Sequence, residues 1–210
     1  MIKNIVFDLG NVLIRFRPSE FFEKKKYPEE LKTIILSDIF GSKEWKMLDN
    51  GDINLTEGID SISVRSSLKK HEIACIFNLR TEMMYPIDNN VRLLPGLKKR
   101  GFRLYFLSNF PIDIFDEIKS KYSFFRYFDG GIISSEVRFS KPDSRIYKIL
   151  LEKYSLPPGE CLFIDDLEIN CQAAKVLGMK VLVTFGSENI SREINVALKS
   201  SQLHHSAGSN

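Results

Sequence analysis

Five short runs rich in Ile, Val, Leu and Phe, at residues 4–8, 103–107, 131–134, 161–164 and 180–185, most constrain how this chain can fold. Most are continuously apolar rather than alternating, as a strand covered on both faces must be. Helical patterns lie between them. "PGLKKRG" carries Pro95 near its first turn and stops at Gly101. "PDSRIYKILLEKY" opens with Pro142-Asp143, keeps Ile146, Ile149, Leu150 and Tyr154 near one face, and breaks at Pro157-Pro158. "NCQAAKVLG" buries Cys171, Ala174 and Leu177 and ends at Gly178, a residue type suited to a left-handed C′ position. Alternating strand and helix predicts an α/β fold, a Rossmann-like doubly wound parallel sheet.

Residues 15–90 break that rhythm. They hold few strand-like runs and several amphipathic patches of helix length, such as "PEELKTIILSDIF" and "SLKKHEIACIFNLRTEMM". The α/β pattern stops after its first strand and resumes near Leu94-Pro95-Gly96. The expectation is a core of residues 1–14 and 91–198, with residues 15–90 inserted as a helical cap over the carboxyl ends of the strands. Open α/β sheets bind ligands at those ends. The tail, residues 199–210, is small, polar and aperiodic, which predicts disorder; its His204 and His205 read as solvated.

Composition excludes several classes. Thirty basic against 27 acidic residues leave a net charge of +3, no electrostatic case for nucleic acid or an acidic membrane. The densest basic run, Lys24-Lys25-Lys26, stands beside Glu23, Glu29 and Glu30 and reads as a solvated helix face. No apolar stretch approaches the ~20 residues that span a bilayer, and Met1-Ile2-Lys3 runs straight into a strand without a signal-peptide pattern. Cys75, Cys161 and Cys171 are odd in number and lack metal-type spacing. Cys161 in a strand and Cys171 in a helix predict buried free thiols in a reducing, cytoplasmic setting.

Four polar clusters sit at or just beyond strand ends: Asp8 with Gly10-Asn11, Ser108-Asn109, Lys141-Pro142, and Asp165-Asp166 followed by Asn170. Singly, each has an ordinary explanation as a turn, a loop dipeptide, a helix start or an acidic helix N-terminus. Their joint order resembles the four motifs of the haloacid dehalogenase-like hydrolase superfamily. "DLGNV" and "EWKMLDNGDI" are similar to the branch of bacterial α-D-glucose-1-phosphate phosphatases and the N-terminal phosphatase of epoxide hydrolases. The resemblance implies a hydrolase acting on a small phosphorylated metabolite, such as a sugar phosphate, through an aspartyl-phosphate. Asp8 would be the nucleophile and Lys141 its catalytic partner, with Ser108 and the amide of Asn109 on the phosphoryl oxygens. It implies Mg²⁺ held by Asp8, the carbonyl of Gly10 and Asp166, with Asp165 acting through water. Oligomeric state is left open.

The physics agrees. In the family's strand order the first and fourth core strands are neighbours, so three carboxylates converge and repel unless a cation joins them; hard oxygen ligands suit Mg²⁺. A carboxylate meeting a phosphate dianion near 4 Å faces about 8 kcal/mol of repulsion at an effective dielectric of ~20. That slows a reaction by roughly six powers of ten. Mg²⁺ and Lys141 would bring three positive charges against it.

One position departs from the pattern. Most phosphatases of this superfamily carry a second aspartate two residues after the nucleophile, which protonates the leaving oxygen. Gly10 stands there and cannot transfer a proton, and Asn11 is no general acid. Such a group is typically worth 10²–10⁴ in rate. Two alternatives therefore stand beside the phosphatase: a metal-independent 2-haloacid dehalogenase, for which the Asp165-Asp166 pair would have no purpose, and a weakly active protein that binds a phosphorylated ligand. Specificity is expected from the cap: Trp45 could stack on a sugar or fill the cap's own core, and Arg15 could read a second anion or lie at the surface; Phe16 and Arg17 enter the cap and Asp49 lies in "EWKMLDNGDI", none of them assigned a catalytic role.

Overall fold

In the computed structural model, backbone is described for residues 1–206 and side chains through residue 200. The first strand, β1 (Asn4–Phe7), is followed by a short β2 (Ile14–Phe16). Helices α1 (Pro18–Lys24) and α2 (Glu29–Ile35) come next, and α2 runs on into a π-helical turn, Leu36–Phe40. Then come α3 (Lys43–Asn50), α4 (Leu55–Arg65), α5 (Lys70–Asn78) and a second short strand, β3 (Met84–Pro86). Helices α6 (Asp88–Val91) and α7 (Leu94–Lys99) lead to β4 (Arg103–Ser108), α8 (Ile112–Lys121), β5 (Gly130–Ile133) and α9 (Ser134–Val137). The chain continues through α10 (Ser144–Lys153), β6 (Cys161–Asp165), α11 (Glu168–Val176), β7 (Lys180–Val183) and α12 (Ser191–Ser206).

The five apolar runs form one parallel sheet in the order β5-β4-β1-β6-β7. Strand alternation explains why those runs are apolar throughout. Ile5, Phe7, Leu104, Phe106, Leu162 and Ile164 face one buried cluster with α7, α8 and α12. Val6, Tyr105, Leu107, Cys161 and Phe163 face another, with α10 and α11. Each fully buried large side chain here, Phe7 and Phe163 among them, contributes about 2–3 kcal/mol of burial free energy. The two thiols Cys161 and Cys171 are buried and unpaired, as expected; Cys75 is exposed. Gly101 and Gly178, beyond α7 and α11, have φ of +87° and +90°, a region glycine enters without steric cost.

The helices from α1 to α5 bury a third cluster of their own, built on Phe22, Ile35, Ile39, Leu48, Ile62, Ile73 and Phe77. Lys24, Lys25 and Lys26 lie exposed outside it. The insertion departs and returns through an antiparallel ribbon, β2 with β3, pairing Arg15 with Tyr85 and Phe16 with Met84. Two three-residue strands carry too little periodicity to be read from sequence.

Of the tail expected to be disordered from residue 199, residues 199–206 belong to α12 and residues 207–210 lie outside the described residues. Ile190, Ile194 and Leu198 recur every four residues and pack on the core, anchoring a helix whose last turns are polar. The side chains of His204 and His205 lie outside the described residues. Among those described, no helix is long and apolar enough to cross a membrane.

Candidate active site

The parallel register between β1 and β6 sets Phe7 opposite Ile164. One residue later both strands deliver an acid, Asp8 and Asp165, and the main-chain N–H of Asp8 still donates to Ile164 O at 2.8 Å. On the other flank β4 ends at Ser108, whose Oγ donates to Asp8 Oδ1 at 2.7 Å. The four polar clusters of the sequence thus meet at the carboxyl edge of the sheet, around one cavity of about 320 Å³.

Lys141 reaches this point from the loop before α10. Asn109 holds its main chain from both sides: Lys141 N donates to Asn109 Oδ1 at 2.8 Å, and Asn109 Nδ2 donates to Lys141 O at 3.0 Å. Lys141 Nζ then sits 2.8 Å from Asp8 Oδ1 and 2.6 Å from Asp165 Oδ2. The side-chain amide of Asn109 is therefore a brace for Lys141, and only its main-chain N–H could serve a phosphoryl oxygen.

Asp8 Oδ1 accepts from Leu9 N (2.7 Å), Ser108 and Lys141. All of these go to one oxygen and leave Oδ2 without a partner among the described residues. Asp165 is saturated. Its Oδ1 accepts from Leu167 N at 2.9 Å and Asn170 at 3.0 Å, and its Oδ2 from Asn170 at 3.1 Å and Lys141. Asp166 is half-buried, and the neighbouring Asn11 side chain favours its charged form. Asn11 has φ of +52°, and its Oδ1 also accepts from Phe16 N at 3.3 Å. The supporting roles of Asn11 and Asn170 were legible in sequence only as turn residues near the acids.

Burial pushes the Asp8 carboxyl up to about 7, with the charge of Asp165 adding and Lys141 opposing. Burial also raises Asp166, with Asp165 beside it. Burial alone would lower Lys141, but Asp8 and Asp165 outweigh it and hold the ammonium above its ordinary range. One oxygen each from Asp8, Asp165 and Asp166 lies within 4.8 Å of the others. Three carboxylates against one ammonium leave two negative charges, which a divalent cation would balance. The donors are hard oxygens of the kind Mg²⁺ takes. The residues fit the ion.

Apart from Asp49, the rest of the lining is apolar: Ile14, Phe16 and Met84 from the ribbon, Trp45 from α3, and Phe110 and Leu167 from the loops after β4 and β6. Trp45 is engaged by other rings. It stacks on Phe16 (5.6 Å, 13°) and on Phe77 (6.0 Å, 13°), so the indole is part of the cap's aromatic core as well as the cavity wall. Arg15 is neither at the surface nor among the cavity residues: it is buried and paired with Glu188. Arg17 is exposed and paired with Glu20 at 2.7 Å.

Asp49, near the end of α3, lines the same cavity as Asp8, Ser108 and Lys141. Burial pushes its carboxyl up to about 8; Arg80 opposes the shift and Asp8 adds to it. Its place in "EWKMLDNGDI" was visible in the sequence, but its protonation was not, because that depends on which side chains surround it.

A family model described as haloacid dehalogenase-like hydrolase matches residues 2–178. The sesquiterpene phosphatase astK of Aspergillus oryzae is 28% identical over 84% of this chain and 87% of its own length. Bifunctional epoxide hydrolase 2 of Sus scrofa is 30% identical over 47% of this chain, a match that takes in 18% of that longer protein. Among solved structures, a HAD family enzyme of Bacteroides thetaiotaomicron in complex with magnesium and inorganic phosphate superposes with a TM-score of 0.71. It is 27% identical, over 91% of this chain and 98% of that one.

Proposed function

Because the chain belongs to the haloacid dehalogenase-like hydrolases, we propose that it is a Mg²⁺-dependent phosphatase in which Asp8 is transiently phosphorylated. The observation that carries this reading is the convergence of Asp8, Asp165 and Asp166 within 4.8 Å, with Lys141 2.8 Å from Asp8. A dehalogenase needs no such cluster, whereas a carboxylate attacking a phosphate dianion needs positive charge at that point.

Asp8 Oδ2 is the attacking atom. Ser108, Leu9 N–H and Lys141 hold the carboxylate by its other oxygen. The ion would be held by Asp8, Asp166 and the Gly10 carbonyl; Asp165, already occupied by Asn170 and Lys141, would act through water. When bound, Mg²⁺ supplies charge that shields the phosphoryl oxygens from Asp8. Ser108 Oγ and the Asn109 N–H donate to those oxygens once substrate is present. The acyl phosphate on Asp8 divides one displacement into two easier ones.

The insertion, residues 15–90, serves as the cap that closes over the alcohol part of the substrate. A hexose phosphate, expected from the sequence resemblance, would meet few hydrogen-bonding groups along the wall formed by Ile14, Phe16, Trp45, Met84 and Phe110. Unpaired hydroxyls there cost free energy. The wall supports an alcohol with an apolar body, as does the name of the Aspergillus oryzae relative, a sesquiterpene phosphatase.

The test is phosphate release from a panel of hexose, prenyl and terpenyl monophosphates, with Mg²⁺ or EDTA, by wild type and Asp8→Asn. Release that requires Mg²⁺ and Asp8 is expected, with prenyl or terpenyl esters ahead of hexose esters. Halide release surviving EDTA would reverse the reading in favour of a dehalogenase. Ligand-dependent melting shifts without turnover would reverse it in favour of a binding protein.

A further inference from the structure

We infer that Asp49, carried into the cavity by the cap, is the catalytic acid and base that position 10 lacks. The inference rests on the phosphatase reading above and assigns its missing proton.

Gly10 and Asn11 offer no acid, and among the carboxyl groups lining the cavity Asp8 and Asp166 belong to the nucleophile and ion cluster. Asp49 is the remaining one. Its carboxyl oxygens accept no hydrogen bond from any described residue, although the residue is half-buried. Burial raises its affinity for a proton, so at neutral pH it carries one to give. The charged groups that act on it are Arg80 and Asp8. Arg80 does not claim the carboxyl: its Nε donates to Phe77 O at 2.7 Å and its Nη2 to Asp113 at 3.1 Å.

The main chain around Asp49 is clamped to the core, so the side chain is held where it is rather than swinging with a loose cap. Ser134 Oγ donates to Asp49 O and accepts from Phe110 N at 2.9 Å, joining the cap to the loop after β4. Asn50 Oδ1 accepts from Ser140 Oγ at 2.9 Å. Gly51, with φ of +74°, closes α3 so near Ser135 that a Cβ would lie 2.6 Å from its carbonyl oxygen. The three contacts seat the end of α3 on α9 and the loop that follows it.

The proton balance is complete. As Asp8 Oδ2 forms its bond to phosphorus and the ester P–O bond breaks, the Asp49 proton passes to the departing oxygen, releasing a neutral alcohol. The Asp49 carboxylate then takes a proton from the water that attacks phosphorus. The Asp8–phosphorus bond breaks, inorganic phosphate leaves, and Asp49 is protonated again.

Asp49→Asn keeps the shape and removes the proton. The experiment measures kcat/KM, which ends at alcohol release, for n-hexyl phosphate and p-nitrophenyl phosphate with Mg²⁺. A nitrophenolate leaves without help, so the expected result is a 10²–10⁴-fold loss on the alkyl ester and less than tenfold on the aryl ester. Asp49→Glu should recover part of the alkyl activity. Equal losses on both esters would mean a merely structural role and overturn the proposal, as would an unchanged alkyl rate. Wild type that hydrolyses the aryl ester alone also overturns it, since no acid is then acting. Wild type idle on every phosphate ester removes the phosphatase reading itself, a separate and recognisable failure. Should Asp49→Asn fold poorly, the wild-type pH profile decides the matter: kcat/KM on the alkyl ester should fall above about pH 8 as Asp49 loses its proton while that on the aryl ester does not, and a shared profile refutes the assignment.

Discussion

Replacing Lys141 by methionine keeps most of the stem and deletes the charge. In the wild type Lys141 Nζ is 2.8 Å from Asp8 and 2.6 Å from Asp165, and Asp165 is fully buried. Each pair represents about 6 kcal/mol of Coulomb attraction at an effective dielectric of ~20. Much of that offsets the desolvation of the ions, and removing one partner of such a buried group typically costs about 3–5 kcal/mol. The abandoned Asp8 carboxyl can relieve itself by taking up a proton. Asp8 already titrates at about 7, far above the value of an exposed aspartate, and without Lys141 it must rise further. A carboxyl whose folded value is raised destabilises the fold progressively as pH climbs from about 4 towards that value. The loss in Lys141→Met should therefore be near 3–5 kcal/mol at pH 8 and clearly smaller at pH 5. Urea melts in EDTA at both pH values measure it, and Mg²⁺ should return part of the loss by supplying the missing charge. Activity should fall at least a hundredfold. A variant within about 1 kcal/mol of wild type at pH 8 in EDTA, or a loss independent of pH, would refute the electrostatic account of the site.

Three further outcomes follow from the geometry. Gly10→Asp should fold normally, since a Cβ there meets nothing within 4 Å, and should raise kcat/KM on alkyl phosphates about ten- to a hundredfold by adding a second proton donor. Asp49→Asn should melt higher than wild type at pH 9. The folded carboxyl is raised to about 8 by burial, so its ionisation destabilises the fold as pH rises, and the gap should close towards pH 4, read by thermal melts. Gly51→Ala should cost about 1–3 kcal/mol in urea melts, because φ is +74° and the new Cβ would press on Ser135 O at 2.6 Å. Its kcat should fall further than stability alone explains, as Asp49 shifts with the end of α3.

What the sequence determined by itself is the part governed by local repetition. A strand buried on both faces must be apolar at consecutive positions, so β1, β4 and β6 were visible as runs, and the acids and Ser108 could be assigned to their ends. Motif order brought Lys141 and Asp165 into the same argument. Helix stops at Gly101 and Gly178 were legible because a positive φ selects glycine. The ribbon β2–β3 was not, because three-residue strands owe their pairing to a partner some seventy residues away. The last turns of α12 were also missed, since their propensity is weak and the anchoring comes from Ile190, Ile194 and Leu198 against the sheet. Only tertiary structure decided that Asn109 braces Lys141, that Trp45 stacks on Phe16 and Phe77, and that Arg15 pairs with Glu188. The same holds for Asp49. Its proton affinity is set by desolvation and by distant charges, properties of the space around a side chain that no run of neighbouring residues encodes.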